Sequence, residues 1–128
     1  MSQRIKYFRL DRQRKNEIIA TISGYLKDVD DVILAIIFGS FIELESFRDI
    51  DIAIYAPNVD IGKIIWYSAE LELTLNIPVD IIHLNIIPTT FKYYVLTKGL
   101  VIYEKYPGIY EALLNQVIDE KYLLNQIR

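Results

Sequence analysis

Residues 32–38, Val-Ile-Leu-Ala-Ile-Ile-Phe, form an unbroken apolar run that ends at Gly39-Ser40. The run has the length of a strand, and its β-branched residues favour a sheet. Because successive side chains of a strand point to opposite faces, a strand without polar positions must be covered on both faces. The run therefore predicts a central, fully buried strand.

The rest of the chain supplies further strands and the helices that would cover them. Helices are predicted where apolar residues recur at helical spacing: residues 11–27, residues 61–75 behind a cap at Asp60, the segment from Pro88 to Gly99, and a last segment from Pro107. Strands are predicted at residues 49–55, 79–84 and 100–103. Residues 41–48 are predicted as a short irregular or helical connection.

The connections between these elements indicate how the strands pair. The connection after Gly39 is short, which favours antiparallel pairing of strands 32–38 and 49–55. A helix separates strand 49–55 from strand 79–84, which favours a parallel pair joined by a right-handed crossover. We expect one α/β (α+β) domain over residues 1–128, a small mixed sheet of three to four strands with helices packed on it.

Composition excludes several kinds of function. The chain has no cysteine and one histidine, which excludes disulfide scaffolds, thiolate zinc sites and a cysteine nucleophile and argues against a Ser-His-Asp triad. The net charge of −3 argues against direct binding of nucleic acid. No apolar stretch approaches the length of a membrane span or of a secretion signal core, so we expect a cytoplasmic protein without a membrane partner.

Three aspartates and a Gly-Ser turn are expected to meet at one edge of the sheet. Asp49 and Asp51 lie two residues apart on a strand, so their side chains share a face. Asp80 opens the parallel neighbour, and the strand that ends at Gly39-Ser40 reaches the same edge. Carboxylates this close repel each other unless a cation or a proton intervenes, and magnesium prefers oxygen ligands. Two such ions about 3.5–4 Å apart serve phosphoryl or nucleotidyl transfer.

These residues resemble a known family. The segments Phe38-Gly39-Ser40, Asp49-Ile50-Asp51-Ile52 and Val79-Asp80-Ile81-Ile82, followed by residues 98–104 and a terminal helix, are similar to the nucleotidyltransferase superfamily related to DNA polymerase beta. Within it they look like the minimal nucleotidyltransferases, the MntA-like antitoxins. The resemblance covers nearly the whole chain and implies the nucleotidyltransferase fold.

The resemblance also implies an activity and a role for each residue. Members take ATP with magnesium, transfer AMP to a hydroxyl and release pyrophosphate. The positions of Asp49 and Asp51 bind both metal ions, Asp80 binds one and helps to activate the hydroxyl, and Gly39-Ser40 holds the triphosphate. Minimal members act as antitoxins that adenylylate a tyrosine of a HEPN-domain RNase toxin, so a HEPN partner is expected. One of this chain's own ten tyrosines could also accept AMP.

The chain departs from the family after Ser40. Residues 42–44 are Ile-Glu-Leu where members carry Ala-Arg-Gly, so Glu43 replaces an arginine expected to contact phosphate, and Glu45 adds another negative charge. Arg48 could supply the missing positive charge. This departure leaves open a degenerate antitoxin that acts by binding alone. A separate alternative is a small-molecule or RNA nucleotidyltransferase that works with a separate substrate-binding subunit. A homo- or hetero-oligomer is possible in each case.

Several residues have simpler interpretations. Ser40 could merely cap the segment that follows it. His83 has the opposite strand parity to Asp80, so we expect a structural histidine that faces away from the site with its hydrogen bonds satisfied. The glutamates of the loop and of the helix 61–75 are expected to be solvated charges: Glu43, Glu45, Glu70 and Glu72. Most of the tyrosines are expected to be core or half-buried packing residues, with some apolar surface left for a partner.

Overall fold

A computed structural model describes residues 6–127. Along the chain the strands are β1 (Phe8–Arg9), β2 (Leu34–Phe38), β3 (Ser46–Phe47), β4 (Ile50–Tyr55), β5 (Val79–His83) and β6 (Leu100–Glu104). The helices are α1 (Arg12–Lys27), α2 (Ser40–Glu43), α3 (Ile61–Leu75), α4 (Thr89–Lys98) and α5 (Ile109–Ile127). A short 3-10 turn, Leu84–Ile86, follows β5.

The central sheet has four strands in the order β5-β4-β2-β6. Strand β2 pairs antiparallel with β4 and with β6, whereas β4 and β5 are parallel. The predicted mixed sheet and the predicted directions of its pairs are therefore confirmed. All five residues of β2 are buried, as expected for a strand covered on both faces.

Two clusters of buried side chains hold the helices against the sheet. Ile50, Ile52 and Ile54 of β4 belong to the cluster that includes residues of α1 and α3. Ala53 of the same strand belongs to the other cluster, with Tyr55 packed against it, and that cluster includes residues of α4 and α5. The alternation along β4 thus assigns its odd-numbered positions, from residue 51 to residue 55, to the face covered by α4 and α5.

Capping residues define the helix starts where the sequence predicted them. The Asp11 carboxylate accepts from the Arg14 amide at the start of α1, and the Asp60 carboxylate accepts from the Lys63 amide at the start of α3, each at 2.8 Å. Each cap satisfies an amide that has no partner within its helix. Helix α3 ends at Leu75, where Asn76 adopts φ 57°.

The connection between β2 and β4 is more ordered than predicted. It contains α2, and β3 pairs antiparallel with β1 at the N-terminal side of α1. The Phe47 ring stacks on Phe8 at 5.6 Å and meets Phe41 edge-on at 4.9 Å. The Lys15 ammonium of α1 donates to the carbonyls of Phe41 at 2.8 Å and Leu44 at 3.1 Å. Lys15 therefore fastens α1 to the end of α2.

Candidate active site

Asp51 is the centre of the candidate site. It lies on β4 opposite Phe38 of β2 on one side and opposite Asp80 of β5 on the other. Asp49 immediately precedes β4 and shares the face of Asp51, because the two residues are two positions apart. Asp49 and Asp51 are half-buried, and Asp80 is exposed on the edge strand. The structure thus brings the three predicted carboxylates to neighbouring backbone positions.

The carboxylates act on one another electrostatically. Partial burial, together with the negative charges of Asp49 and Asp80, raises the pKa of Asp51 from its ordinary 3.8 to about 6. This is the behaviour expected of a carboxylate that lacks a cation partner. A cation bound beside Asp51 would offset both the burial of its charge and the repulsion from its two neighbours.

Gly39 allows the backbone to approach Asp51 closely. Its backbone, at φ 81° and ψ −156°, lies in a region that is essentially restricted to glycine. A Cβ atom at this position would lie 2.7 Å from Oδ2 of Asp51, closer than real Cβ atoms come. Gly39 is the N-cap of α2 and Ser40 is its first residue, so the alternative interpretation of Ser40 as the cap is wrong.

The rim of the site contains a contact that the sequence did not predict. The Tyr94 hydroxyl of α4 donates a hydrogen bond to the Glu43 carboxylate of α2. The Phe38 ring meets Phe91 at 5.7 Å and Tyr94 at 6.3 Å, edge to face in both cases. Glu43 is therefore not the free solvated charge expected. No local signal could have indicated this, because the two partners are 51 residues apart.

The other glutamates fall into two groups. Glu45 is an exposed charge, as expected, and pairs with Arg9 at 2.5 Å. On α3, Glu72 is exposed, as expected, whereas Glu70 is half-buried, so the prediction of a solvated charge was wrong for Glu70. Both glutamates also hold neighbouring elements. Glu70 accepts a hydrogen bond from the Tyr25 hydroxyl of α1, and Glu72 accepts one from the Val79 amide at 2.9 Å. Arg48 is exposed beside Asp49.

His83 corrects a further expectation. Alternation along β5 places it with Val79 and Ile81, on the face opposite to Asp80, as predicted. Its Nδ1 atom, however, is buried without a hydrogen-bond partner among residues 6–127. The expectation of a fully satisfied histidine was therefore wrong.

The three aspartates fit a divalent cation by chemistry and by charge. Hard cations favour carboxylate oxygens, and the raised pKa of Asp51 reflects the burial of its charge and the repulsion from Asp49 and Asp80, both of which a bound cation would offset. As the side chains stand, no group of three acidic or histidine side chains between residues 6 and 127 is gathered closely enough to hold an ion. Binding would therefore require these side chains to turn toward one point.

The pKa of Asp51 predicts a pH-dependent stability of the metal-free protein. Because the folded state binds this proton more tightly than the unfolded state, the stabilising contribution is complete below about pH 4 and is lost as pH rises through about 6. We expect Asp51→Asn to be more stable than wild type at pH 7 by on the order of 1–2 kcal/mol, after allowance for solvent screening.

Urea unfolding of both proteins in a chelator, between about pH 4 and pH 7, measures this difference. The free energies of unfolding should converge at the acid end. Magnesium at neutral pH should stabilise wild type more than the variant. An advantage of the variant that is the same at every pH would contradict the electrostatic explanation.

The mixed sheet, with paired aspartates beside a Gly-Ser turn, is the arrangement expected of a nucleotidyltransferase. A family model described as "Polymerase beta, Nucleotidyltransferase" matches residues 20–107, and the chain belongs to this family. The match includes β2, α2 and the strands that carry all three aspartates. Comparison with curated proteins gives no match.

Solved structures of toxin-antitoxin complexes contain the same fold. A chain from the complex of a tri-AMPylated Shewanella oneidensis HEPN toxin with MNT antitoxin is 23% identical, with a TM-score of 0.75, covering 89% of this chain and 92% of that one. A chain from the MntA-HepT toxin-antitoxin structure is 22% identical, with a TM-score of 0.69 and 92% coverage of both chains. A toxin-antitoxin structure with AMP-PNP contains a chain 23% identical, with a TM-score of 0.73, covering 89% and 91%.

Proposed function

We propose that residues 1–128 act as a single MgATP-dependent nucleotidyltransferase domain, the antitoxin of a HEPN/MNT pair, which transfers AMP to a tyrosine of its HEPN RNase toxin. The observation that carries the proposal is the position of Asp51, which is opposite Asp80 in register and close to the Gly39 backbone. The neighbours support the partner and the reaction, since their complexes contain a HEPN toxin, in one case AMPylated, or AMP-PNP.

Each site residue has a proposed role. Asp49, Asp51 and Asp80 hold magnesium, with two ions as in other nucleotidyl transfer sites, and Asp80 also helps to orient the acceptor hydroxyl. Bound magnesium would neutralise the carboxylates and the triphosphate. Gly39 and Ser40 hold the triphosphate, because the missing Cβ lets the backbone lie close to Asp51 and the serine supplies a hydroxyl.

The described part of the chain has exposed apolar surface that a separate partner would cover. No helix between residues 6 and 127 is long and apolar enough to cross a membrane. Apolar side chains remain exposed on α3, among them Ile61, Ile65 and Trp66, and on α5. We propose a cytoplasmic protein that forms a hetero-oligomer with its toxin and does not bind nucleic acid directly.

A second candidate is an antitoxin that neutralises by binding alone. The contact between Glu43 and Tyr94 favours it, because a carboxylate occupies the position of the expected phosphate-binding arginine. A small-molecule nucleotidyltransferase with a separate substrate-binding subunit is the third candidate. The three differ in the acceptor: a HEPN tyrosine, no acceptor, or a small molecule.

Incubation with α-labelled ATP, magnesium and a HEPN-type protein encoded beside the chain tests the proposal. We expect magnesium-dependent label on a tyrosine of the partner, together with loss of its RNase activity. Neutralisation without label would support binding alone. Absence of both label and neutralisation, in a protein that still binds ATP, would leave the small-molecule alternative and overturn the antitoxin proposal.

A further inference from the structure

Tyr94 of α4 contacts both β2 and α2 at the edge of the candidate site. Its ring is fixed against Phe38 and lies 6.4 Å from Phe91, while its hydroxyl reaches across to Glu43 at the end of α2. Phe38 is the register partner of Asp51, so the aromatic contact places the tyrosine beside the same strand ends that carry the aspartates. The tyrosine is thus held at the mouth of the site by contacts on both α2 and β2.

The phenol of Tyr94 lies among negative charges, one of which is that of Asp51. The hydrogen bond to Glu43, partial burial, and the negative charges of Glu43 and Asp51 together raise the pKa of Tyr94 from 10.0 to about 12. Tyr94 is therefore protonated at neutral pH, and its proton is directed at a carboxylate. A nucleophilic hydroxyl hydrogen-bonded to a base, beside residues that bind a phosphoryl donor, is the usual arrangement for group transfer.

A second tyrosine provides the comparison within the same chain. Tyr25 also donates to a carboxylate, that of Glu70, and its ring packs edge-on against Tyr67 at 6.1 Å. It belongs to the cluster on the α1 and α3 face, opposite to the face of Asp51. Tyr25 therefore has the same local chemistry as Tyr94 without the neighbouring aspartates.

We propose that Tyr94 is a self-modification site, which accepts AMP from ATP bound at the aspartates of the same chain. This inference rests on the proposed nucleotidyltransferase function and adds an acceptor to it. The Tyr94 oxygen forms a bond to the α-phosphorus of ATP, and the bond from that phosphorus to the oxygen bridging to the β-phosphate breaks. Pyrophosphate leaves with the electron pair of that bond, and the phenol proton passes to the Glu43 carboxylate.

The modification would inhibit transfer of AMP to the partner. Once its oxygen carries AMP, Tyr94 has no proton to donate to Glu43, so the contact between α2 and α4 is lost. The attached nucleotide would occupy the mouth of the site beside Asp51. We expect self-modified protein to transfer AMP to its partner at least 10-fold more slowly than unmodified protein.

Peptide mapping by mass spectrometry, after incubation of the full chain alone with ATP and magnesium, tests the inference. We expect an AMP adduct on the peptide that contains Tyr94, formed at a rate constant that does not change when the protein is diluted. Tyr94→Phe should abolish the adduct, and Tyr25→Phe should leave it unchanged. Glu43→Gln keeps a hydrogen-bond acceptor for the Tyr94 hydroxyl but removes the carboxylate that takes its proton. Formation of the AMP adduct should therefore slow by roughly 100-fold.

The outcomes separate this inference from the proposed function. Partner labelling without an adduct on the chain, an adduct that persists in Tyr94→Phe, or a rate constant proportional to protein concentration would overturn self-modification and leave the proposed function intact. Loss of the adduct in Tyr25→Phe would also overturn it. Absence of both the adduct and partner labelling, with no magnesium-dependent ATP binding, would overturn the proposed function and this inference together.

Discussion

Asp49→Asn combined with Asp51→Asn should reduce AMP transfer by at least roughly 1,000-fold. Both carboxylates lie on one face at the start of β4, and they are the residues proposed to hold magnesium against the triphosphate. Asparagine keeps the size of each side chain but removes the charge, so the repulsion that a cation relieves is gone and so is the affinity for it. The initial rate of label transfer from ATP to the partner measures the loss.

The matched control is Asp31→Asn, which removes an exposed carboxylate from the turn between α1 and β2, at the end of β2 opposite to Gly39. It should retain full transfer activity. The double variant should also remain folded at neutral pH, with a free energy of unfolding at or above that of wild type, because Asp51 is destabilising as an anion. A double variant that unfolds, or that retains more than a tenth of the wild-type rate, would contradict the assigned roles.

Gly39→Ala should both destabilise the fold and disable the site. The backbone conformation alone costs about 1–3 kcal/mol for a residue with a Cβ. The added atom must also displace Oδ2 of Asp51, which it would meet at 2.7 Å. Since a displacement of about 1 Å at a reacting centre can cost roughly 100-fold in rate, we expect at least that loss in kcat/KM for ATP.

Alanine variants at two other glycines distinguish a loss of stability from damage to the candidate site. At Gly108, with φ 95°, a Cβ meets nothing within 4 Å, so Gly108→Ala reports the backbone cost without a collision. At Gly99 a Cβ would lie 2.4 Å from Cγ2 of Ile36 and 2.5 Å from the Val95 carbonyl, so Gly99→Ala should destabilise through core packing. Folded Gly99→Ala or Gly108→Ala protein should keep its kcat/KM for ATP. An unchanged kcat/KM in folded Gly39→Ala would contradict the role assigned to Gly39.

Local sequence patterns were sufficient for the main elements and for the grouping of the aspartates. Helix α3 begins and ends where its apolar spacing and the Asp60 cap predict, because both signals lie within the segment itself. The common face of Asp49 and Asp51 follows from strand geometry alone. The position of Asp80 beside Asp51 could be predicted from one crossover connection between parallel strands, because the handedness of such connections is strongly constrained.

Contacts between distant segments could not be predicted in this way. Strands β1 and β3 have two residues each, too few to show any periodicity, and they are recognisable only through their pairing. The partners of Glu43, Glu70 and Glu72 all lie on other elements, so each glutamate has the same local signal as a solvated charge. The contact of Tyr94 with Glu43 was missed for the same reason.

Through the hydrogen bonds of Lys15, helix α1 helps to hold the loop after Gly39 in place. The family match begins at residue 20, within α1, and so leaves Lys15 outside the shared region. The Lys15 ammonium also lies over the rings of Phe41 and Phe47, at 5.1 Å and 5.5 Å from their centres. A version of the chain trimmed to the family boundary would therefore retain all three aspartates while losing the bonds from Lys15 to α2. For this protein, the segment that the family model matches lacks one of the contacts that hold its loop in place.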